Sequence, residues 1–449
     1  MEMNNIILRE YQKECINTIY EKFKKRKRQL IQLPTGAGKT FIFLNYLKLH
    51  SKKAIIICPT KELQEQIYKW AKIFLKDKKI FCRRKNFDKD CDFYIYTAAS
   101  LNFGIVEKYF HKIDCDTVII DEAHHAQANT YKNFLNKYSQ YFDFKLLGCT
   151  ATPERLDKKS LFEIFGEITY EKNVIELITN GDLCNIIGYK VKTGQTIKKI
   201  NKQLDHDFTF VDLKLLDNET RNKILINTYL KNCKNKKTLV FCLNISHSEY
   251  IAKTLRDNGI KSECIHGKLS EKVRSEILRR FSSGETEVLT NCQLLTEGFD
   301  EPSIEAIIIG RPTRSKALYH QMIGRGLRNH PGKKNCVLYE LYDIGNRVCN
   351  FSSLVDLHED SKWEYPDGIV LKKLRDEVEK INIKHIHTSL EKFDVFEKGL
   401  NISQKKPFDF QIKALEKLGI KNKFLNYLEA SYLLWKQELK VKYGYNYKN

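Results

Sequence analysis

A strand, a glycine-containing loop and a helix, predicted in immediate succession, limit the fold of this chain more than any other feature. The strand-like residues 29–33 lead into the sequence LPTGAGKT at residues 33–40. Gly36 and Gly38 allow backbone torsions that bulkier residues resist, so consecutive N–H groups and the N-terminus of a helix beginning near Phe41 can point at one anion. Lys39 supplies a cation for the β and γ phosphates of a nucleotide, and Thr40 supplies a hydroxyl for its Mg²⁺ ion. The predicted nucleotide contacts are Pro34, Thr35, Gly36, Ala37, Gly38, Lys39 and Thr40.

Two carboxylates follow a second predicted strand. Residues 117–120 read TVII, and Asp121 and Glu122 come directly after them. Ligands of α/β proteins bind at the carboxyl ends of parallel strands. Asp121 can hold Mg²⁺ together with Thr40, and Glu122 can orient and deprotonate an attacking water, because phosphoryl transfer depends on positioning and charge control. The loop and the acids together predict hydrolysis of ATP with Mg²⁺ as the metal.

Short apolar runs alternate with helix-length segments, a pattern typical of α/β proteins whose parallel sheets are covered on both faces. The strands expected in a first lobe are residues 29–33, 54–58, 92–96, 117–120 and 145–149. Those expected in a second lobe are residues 238–242, 262–265, 288–290, 305–309 and 336–341. We therefore expect a first lobe over residues 1–155, a connector with a small insertion over 156–217 and a second lobe over 218–345.

Residues 346–449 are expected to form a mainly helical C-terminal region. Apolar residues recur there three or four positions apart, which draws one stripe along a helix. The stripe consists of Leu425, Leu428, Tyr432, Trp435 and Leu439. It fits a helix packed on one of the lobes or a helix that binds a protein partner.

The charge balance points to a class of partner. A net charge of +21 and a pI of about 9.2 favour polyanions such as nucleic acid or anionic lipid, although heavy use of Lys with Ile and Asn is also typical of a biased genome. No apolar run reaches the roughly 18 residues of a membrane span, so no membrane contact is expected. The 13 cysteines lack zinc-knuckle spacing and no signal-like start is visible, which predicts reduced thiols in a cytoplasmic protein.

With residues 121–124 reading DEAH, the chain resembles a DEAH-type superfamily 2 helicase, and further motifs occur in that family's order. Leu33 replaces the first glycine of the general phosphate loop, as is common in this family. Residues 8–12 resemble the segment that reads adenine, which implies a contact from Gln12. Residues 59–66 and 97–101 resemble the strand-gripping motifs of the first lobe, which implies nucleic-acid contacts from Thr60 and Ser100. Residues 150–153, TATP, match the motif that couples hydrolysis to motion.

The second half of the chain carries the remaining motifs. His266 and Gly267 precede a predicted helix at residues 274–281, as in this family. Residues 296–302, TEGFDEP, match motif V, and residues 321–328, QMIGRGLR, match motif VI. The resemblance implies that Gly298, Asp300 and Gln321 serve the nucleotide site, that Arg325 and Arg328 are arginine fingers, and that Thr290 contacts nucleic acid. Cys292 stands where many helicases carry a threonine that contacts the backbone of the strand.

The resemblance covers about residues 6–345 and implies two tandem RecA-like domains with ATP bound between them. Within the family, the motif strings are closest to the RadD-like and XPB-like branch and to the motors of type I and type III restriction enzymes. The cysteine-rich zinc module of RadD-like proteins has no counterpart in this sequence, so their particular function is not implied.

Three functions fit these features. The first is a DNA helicase or duplex translocase in repair or defence, which the branch resemblance favours. The second is an RNA helicase, because the same motor serves RNA and discrimination depends on contacts to the 2′-OH. The third is an ATP-gated clamp or scaffold that closes on nucleic acid without stepping along it.

Overall fold

The computed structural model describes residues 7–82, 88–102, 112–151, 161–196, 207–296, 298–344 and 390–394, together with residues 412, 413, 415, 416 and 419. The chain divides into two compact units. The first comprises Met1–Asn173, Leu295–Glu301 and Ser315–Arg325. The second comprises Val174–Leu294, Pro302–Arg314 and Gly326–Asn449.

The first unit is built on a sheet of seven parallel strands in the order β3-β4-β2-β5-β6-β1-β7. Its strands are β1 (Arg28–Gln32), β2 (Ala54–Cys58), β3 (Ile80–Cys82), β4 (Phe93–Thr97), β5 (Thr117–Asp121), β6 (Lys145–Thr150) and β7 (Ile168–Glu171). Every residue of β2, β4 and β5 is buried. Such continuous burial explains why these strands read as unbroken apolar runs.

Helices cover this sheet. They are α1 (Glu10–Phe23), α2 (Lys39–His50), α3 (Lys61–Phe74), α4 (Ala98–Asn102), α5 (Asn129–Tyr138) and α6 (Phe162–Phe165). One apolar core joins the sheet to α5 and α6 through residues such as Leu30, Ile120, Phe134 and Phe165. Burial of this apolar surface is the main force that holds α5 and α6 on the sheet.

The second unit has a sheet in the order β10-β11-β9-β12-β13-β8-β14, parallel except for its last strand. Its strands are β8 (Asn185–Thr196), β9 (Thr238–Phe241), β10 (Ser262–Ile265), β11 (Val288–Asn291), β12 (Ala306–Ile309), β13 (Asn335–Ile344) and β14 (Leu390–Asp394). Its helices are α7 (Val174–Thr179), α8 (Phe210–Leu215), α9 (Glu219–Asn232), α10 (Ile245–Asp257) and α11 (Glu271–Ser283). A further helix, α12 (Lys316–Gly324), belongs to the first unit.

The structure differs from the expectation in the connector and the C-terminal region. All strands expected from the sequence are present, but residues 156–217 also contribute β7 to the first sheet and β8 to the second. Because strand pairing uses backbone groups, a polar segment such as β8 forms a strand wherever a neighbouring strand offers partners. Residues 390–394 form a strand where helices were expected, and the apolar stripe from Leu425 to Leu439 lies outside the described residues.

Candidate nucleotide site and nucleic-acid contacts

The phosphate loop connects β1 to α2 in the first unit, as predicted. Gly36 and Gly38 adopt φ values of 91° and 76°, in the left-handed region that glycine tolerates best. A Cβ atom at Gly38 would lie 2.6 Å from Nε2 of Gln12, so a side chain there would have to displace Gln12. The positive φ values and this close contact therefore favour glycine in the loop.

Lys39 is buried at the start of α2, and its Nζ donates to the carbonyl oxygen of Leu33 at 3.2 Å. Among the described residues, no carboxylate lies within ion-pair distance of this ammonium group. A buried cation without a counter-charge costs free energy. A phosphate in the loop would supply the missing charge, which is the role that the sequence predicts for Lys39.

The acid pair lies at the end of β5, and both side chains are buried. Oδ1 of Asp121 accepts from the N–H of Glu122 at 3.0 Å. Glu122 has φ 49° and ψ 53°, a left-handed conformation that costs a non-glycine residue free energy and recurs at functional sites. Its buried Oε2 has no hydrogen bond and lies 3.4 Å from Nδ1 of His124. The strained backbone thus holds a buried carboxylate oxygen that accepts no hydrogen bond from the described residues.

The phosphate loop and the acids lie at the same edge of the sheet. Strand β6 separates β1 from β5, and all three are parallel. Gln32, the last residue of β1, pairs with Thr150, and Asp121 pairs with the adjacent Cys149. Nδ1 of His124 lies 3.2 Å from Oγ1 of Thr150, which links the acidic loop to β6. Thr152 and Pro153, from the same predicted coupling motif as Thr150, lie outside the described residues.

These features fit a nucleoside triphosphate with Mg²⁺. The glycines form a backbone cradle, Lys39 is a buried cation with no carboxylate partner among the described residues, and the buried Oε2 of Glu122 accepts no hydrogen bond from them. Hydroxyl and carboxylate oxygens, which Thr40 and Asp121 offer, are ligands that Mg²⁺ prefers. In the described part of the chain no cluster of three or more His, Cys, Asp or Glu side chains could hold a metal by itself. An Mg²⁺ ion here would therefore depend on nucleotide oxygens for part of its shell.

Gln12 and its neighbour Tyr11 contact the phosphate loop. Nε2 of Gln12 and the hydroxyl of Tyr11 both donate to the carbonyl oxygen of Ala37, at 3.0 and 2.7 Å. Oε1 of Gln12 accepts from the N–H of Arg9 at 3.0 Å. The sequence assigned residues 8–12 to a segment that reads adenine, with the contact itself made by Gln12. In the structure both residues support the loop, and a sequence motif gives no signal for such a contact.

The motif V and motif VI segments lie largely in the first unit. Gly298 approaches α3 so closely that a Cβ atom would lie 2.7 Å from the backbone N of Leu63. Asp300 is exposed, and its Oδ2 accepts from Nε2 of Gln66 at 3.4 Å. Gly324, at the end of α12, approaches the phosphate loop itself, since a Cβ atom there would lie 2.3 Å from Cβ of Thr35. The sequence did not single out Gly324 as a contact.

The two predicted arginine fingers, Arg325 and Arg328, belong to different units. Arg325 is buried in the first unit, where it donates to the carbonyl oxygens of Phe299 and, at 2.6 Å, of Thr296. Gln321 is also buried in this unit, on α12. Arg328 belongs to the second unit and is partly exposed. In this structure the guanidinium of Arg325 therefore ties motif VI to motif V.

The three residues predicted to contact nucleic acid differ in their exposure to solvent. Thr60 is a partly exposed N-cap of α3, and its Oγ1 accepts from the N–H of Leu63 at 3.3 Å. Ser100 is partly exposed on α4, with its hydroxyl 2.8 Å from that of Thr97. Thr290 is fully buried in β11, and its hydroxyl donates to the carbonyl oxygen of Ser248 at 2.9 Å. A side-chain contact from Thr290 to a strand is therefore corrected, because the hydroxyl is both inaccessible and engaged.

Two histidines of the second unit, His247 and His266, have partners within the protein. Burial lowers the pKa of His247 to about 4, and its Nδ1 accepts from the N–H of Leu243 at 3.1 Å. Nε2 of His266 lies 3.2 Å from Oε1 of Glu249. Both histidines are thus explained by local structure.

Among the described helices, none is long and apolar enough to cross a membrane.

Comparison with known proteins supports this interpretation. The family model described as the res subunit of type III restriction enzymes matches residues 5–155, and the model of the helicase conserved C-terminal domain matches residues 220–330. The IRC3 protein of Saccharomyces cerevisiae, named as an ATP-dependent helicase, is 30% identical over 396 residues, which is 83% of this chain and 57% of that protein. The mitochondrial irc3 protein of Schizosaccharomyces pombe is 31% identical over 363 residues, covering 76% of this chain and 58% of that protein.

Two further similarities extend the comparison. The DNA 3′-5′ translocase XPB2 of Sulfurisphaera tokodaii is 27% identical over 385 residues, 76% of this chain and 83% of that protein. An HsdR subunit fragment of a type I restriction enzyme from Vibrio vulnificus shares the fold, with a TM-score of 0.57, 21% identity and coverage of 75% of this chain and 64% of that one. The chain spans less than two thirds of both IRC3 proteins. From its motifs, its two RecA-like sheets and these matches, the chain belongs to the superfamily 2 helicases and resembles their XPB-like and restriction-enzyme motor branch.

Proposed function

We propose that this protein hydrolyses ATP with Mg²⁺ and uses the energy to move along or unwind DNA. One observation supports the hydrolytic part most strongly. Lys39, buried in a glycine loop with no carboxylate partner in the described part of the chain, shares a sheet edge with Asp121 and Glu122. The buried Oε2 of Glu122 accepts no hydrogen bond from the described residues. This arrangement supplies charge for a bound phosphate and a base for the attacking water.

Each residue of the site has a separate task in this proposal. Lys39 and the loop N–H groups hold the β and γ phosphates, and Thr40 with Asp121 holds Mg²⁺. When bound, the metal ion would neutralise charge on the phosphate oxygens. Glu122 orients the attacking water and accepts its proton. The contact between His124 and Thr150 connects this base to β6, so a change at the acids can reach the segment that follows Thr150.

The family resemblance also assigns Arg325, Arg328 and Gln321 to ATP hydrolysis. For Arg325 to act as an arginine finger, its guanidinium has to exchange the carbonyl oxygens of Thr296 and Phe299 for oxygens of the γ phosphate. Such an exchange would couple motif V to the state of the nucleotide. Arg325→Ala is accordingly expected to lose stimulated ATP turnover, and full stimulated turnover in that variant would contradict the role of Arg325.

DNA is the proposed substrate because of the relatives. XPB2 is named as a DNA translocase, and another relative is the endonuclease subunit of the type I restriction enzyme EcoKI of Escherichia coli, 25% identical over 416 residues. These similarities support a role in repair or defence. RNA is the alternative substrate, since the ATP-dependent RNA helicase ROK1 of Lodderomyces elongisporus is 27% identical over 319 residues.

The cysteines in the described part of the chain are free, which supports a reducing compartment such as the cytoplasm.

The test is a comparison of ATP turnover with single-stranded DNA, duplex DNA and RNA at equal nucleotide concentration. We expect DNA to stimulate turnover more than RNA, and Lys39→Met to abolish turnover with every polymer. Lys48→Met is the matched control, because Lys48 is exposed on the same helix. Stimulation by RNA alone would replace the DNA assignment with the RNA one.

A second assay separates a motor from an ATP-gated clamp. A translocase displaces the third strand of a DNA triplex, and a helicase displaces one strand of a duplex, each with ATP consumption. A protein that shows stimulated turnover but displaces neither strand is a clamp, and that result would contradict the motor proposal.

A further inference from the structure

A short segment of the second unit crosses the carboxyl edge of its sheet. Residues 207–217, called the edge strap below, contain α8 at their centre. The strap contacts the residues that follow β9 and β12, which are adjacent parallel strands paired at Phe241 and Ile309. The carboxyl ends of parallel strands are where α/β proteins bind ligands.

The N-terminal end of the edge strap is fixed to the loop after β12. Oδ1 of Asp207 accepts from the N–H of Arg314 at 2.8 Å, and Oδ2 accepts from the hydroxyl of Thr313 at 3.0 Å. Nη2 of the buried Arg311 lies 3.6 Å from the same carboxylate. The Arg314 guanidinium lies 4.5 Å from the centre of the Phe208 ring. This end is therefore held by charge-assisted hydrogen bonds and a cation–π contact.

The C-terminal end is fixed to the residues after β9. Asp217 accepts from Nδ2 of Asn222 and from Nδ2 of Asn244, both at 3.1 Å. A capping box between Thr209 and Asp212 closes the first turn of α8. Between the two ends, a small apolar cluster lies under the strap, formed by Phe208, Leu213, Leu216 and Leu243. With both ends and one face held, this six-residue helix does not depend on its own propensity for stability.

The opposite face of the edge strap is apolar and exposed. Phe210 and Val211 are each 68% exposed and Leu215 is 59% exposed. Lys214, one helical turn after Phe210, is also exposed. Scattered exposed apolar residues are ordinary, but three within six residues on an anchored helix form a patch of the kind that marks an interaction site.

We propose that the edge strap is a nucleic-acid contact in which Phe210 stacks on a base and Lys214 contacts a phosphate of the same strand. The inference rests on the proposed function, and it adds a contact that the helicase motifs do not include. Aromatic side chains beside cations are the usual means of binding single strands without sequence preference, because every base has a face on which a ring can stack.

The position of the edge strap favours this ligand, and the guanidinium groups of Arg311 and Arg314 offset part of its acidic charge. Strand β11, which leads to the motif position of Cys292, is the neighbour of β9 in the sheet. Gln293 contacts Arg311 through its side-chain oxygen, which joins the end of β11 to the loop that holds Asp207. Within the strap, the three carboxylates each accept hydrogen bonds from the protein, which reduces their repulsion of a polyanion. Those carboxylates belong to Asp207, Asp212 and Asp217.

The test is a thermodynamic cycle on strand binding. The affinities of the full chain and of Phe210→Ala are measured by fluorescence anisotropy for two labelled 20-mers, an oligothymidylate and the same backbone with abasic residues. We expect Phe210→Ala to weaken binding of the oligothymidylate by about 5- to 50-fold, the loss of one base–aromatic stack. Binding of the abasic strand should change by less than about twofold, and Phe210→Trp should restore binding of the base-containing strand.

Two controls make the result specific. Tyr141→Ala removes an aromatic that is 58% exposed in the first unit, ahead of β6 and so away from the carboxyl edge, and it should leave both affinities unchanged. Thermal unfolding should show that Phe210→Ala remains folded, since Phe210 contributes little buried surface.

The outcomes distinguish this inference from the proposed function. If Phe210→Ala binds both strands as the full chain does, the edge strap is not a base contact, although strand-stimulated ATP turnover can still hold. If the substitution weakens both strands equally, stacking is contradicted. If the patch variants instead dissociate a dimer seen by light scattering, the surface binds protein and the inference is overturned. If the full chain neither binds nor responds to any strand, the proposed function itself fails.

Discussion

Glu122 is one of the described non-glycine residues with positive φ, and it directly follows a buried strand. Holding a glutamate in this region costs on the order of 1 kcal/mol or more, so the surrounding structure must impose it. The consequence is that one carboxylate oxygen stays buried, near His124 and free of hydrogen bonds. At the scale of a residue, the proposed general base is therefore defined by its backbone as much as by its side chain.

Glu122→Gln is expected to keep ATP binding and lose turnover by at least about 10²-fold, because the amide has nearly the same shape but cannot accept the proton of water. Equilibrium binding of a fluorescent ATP analogue and steady-state turnover measure the two effects. Glu163→Gln changes an exposed glutamate of the same unit and should leave both unchanged. Full turnover by Glu122→Gln would assign the base to another group.

Asp116 supports the opposite end of the first sheet. Burial alone would raise the pKa of Asp116, but hydrogen bonds from the hydroxyls of Ser51 and Thr117 and from the N–H groups of Lys52 and Lys53 outweigh it, and the pKa lies below its ordinary value of 3.8. An unfolded chain with the ordinary pKa takes up the proton first as the pH falls. The stabilisation is therefore complete above about pH 4 and is lost as the pH falls through the folded-state pKa.

Asp116→Asn is accordingly expected to lower the free energy of unfolding at pH 7 by roughly 1–3 kcal/mol, since it removes charge-assisted hydrogen bonds. The difference from the unsubstituted chain should shrink in acid, as read from urea unfolding across a pH series. Asp114→Asn, at an exposed site two residues away, is the control. A difference that stayed constant down to the acid limit would argue against the ionised carboxylate as its source.

At the scale of elements, β6 is the strand that connects the phosphate loop to the acids, and Gly148 lies at its centre. A Cβ atom at Gly148 would lie 2.7 Å from the ring of Phe165 and 2.8 Å from Cδ1 of Leu30. Phe165 belongs to α6 and Leu30 to β1. The absent side chain therefore allows α6 to pack directly on β1 and β6.

Gly148→Ala is expected to lower the free energy of unfolding by about 1–3 kcal/mol, because an extra carbon forces neighbouring side chains in a packed core to move. Denaturant unfolding of the full chain, followed by circular dichroism, measures the effect. Gly267→Ala is the matched control, since a Cβ atom there meets nothing within 4 Å. Equal effects of the two substitutions would show that backbone entropy, and not packing, dominates at Gly148.

At the scale of the whole molecule, charge sets the long-range behaviour. The 77 Lys and Arg residues exceed the 56 Asp and Glu residues by 21. Some of the cations are paired within the protein: Arg26 pairs with Glu167 at 2.5 Å and Lys27 pairs with Asp143. Within the basic run at residues 24–28, Lys24, Arg26 and Lys27 therefore each have an acidic partner in the protein.

Strand binding should fall steeply with salt, because the cations of the protein displace counterions from the phosphates. For five to seven phosphate contacts, affinity for a single strand is expected to fall by roughly 10²- to 10³-fold between about 50 and 200 mM salt. Anisotropy titrations over that range give the slope of log affinity against log salt. Phe210→Ala changes no charge and should keep this slope, whereas Lys214→Ala removes a cation and should reduce it. A binding constant that does not change with salt would exclude an interface dominated by phosphate contacts.

The sequence by itself determined the two-sheet architecture and the residue types of the nucleotide site. Unbroken apolar runs such as β2 and β5 are typical of parallel sheets covered on both faces, and LPTGAGKT followed by a helix is typical of a phosphate-binding loop. These features are local, so composition and spacing over ten or twenty residues carry them. Strands β7 and β8 were missed for the complementary reason, because their pairing depends on backbone partners far along the chain.

Only the tertiary structure decided which of the motif residues can contact a ligand. Thr290 matched a nucleic-acid motif, but the packing of Ser248 against β11 buries its hydroxyl. Gln12 and Tyr11 converge on Ala37, and Arg325 converges on Phe299, through contacts 25 or more residues apart in sequence. The edge strap carries no motif, and its exposed face exists only because Asp207 and Asp217 find partners beyond β12 and β9. Burial and hydrogen bonding between distant segments are set when the chain folds, and no local pattern records them.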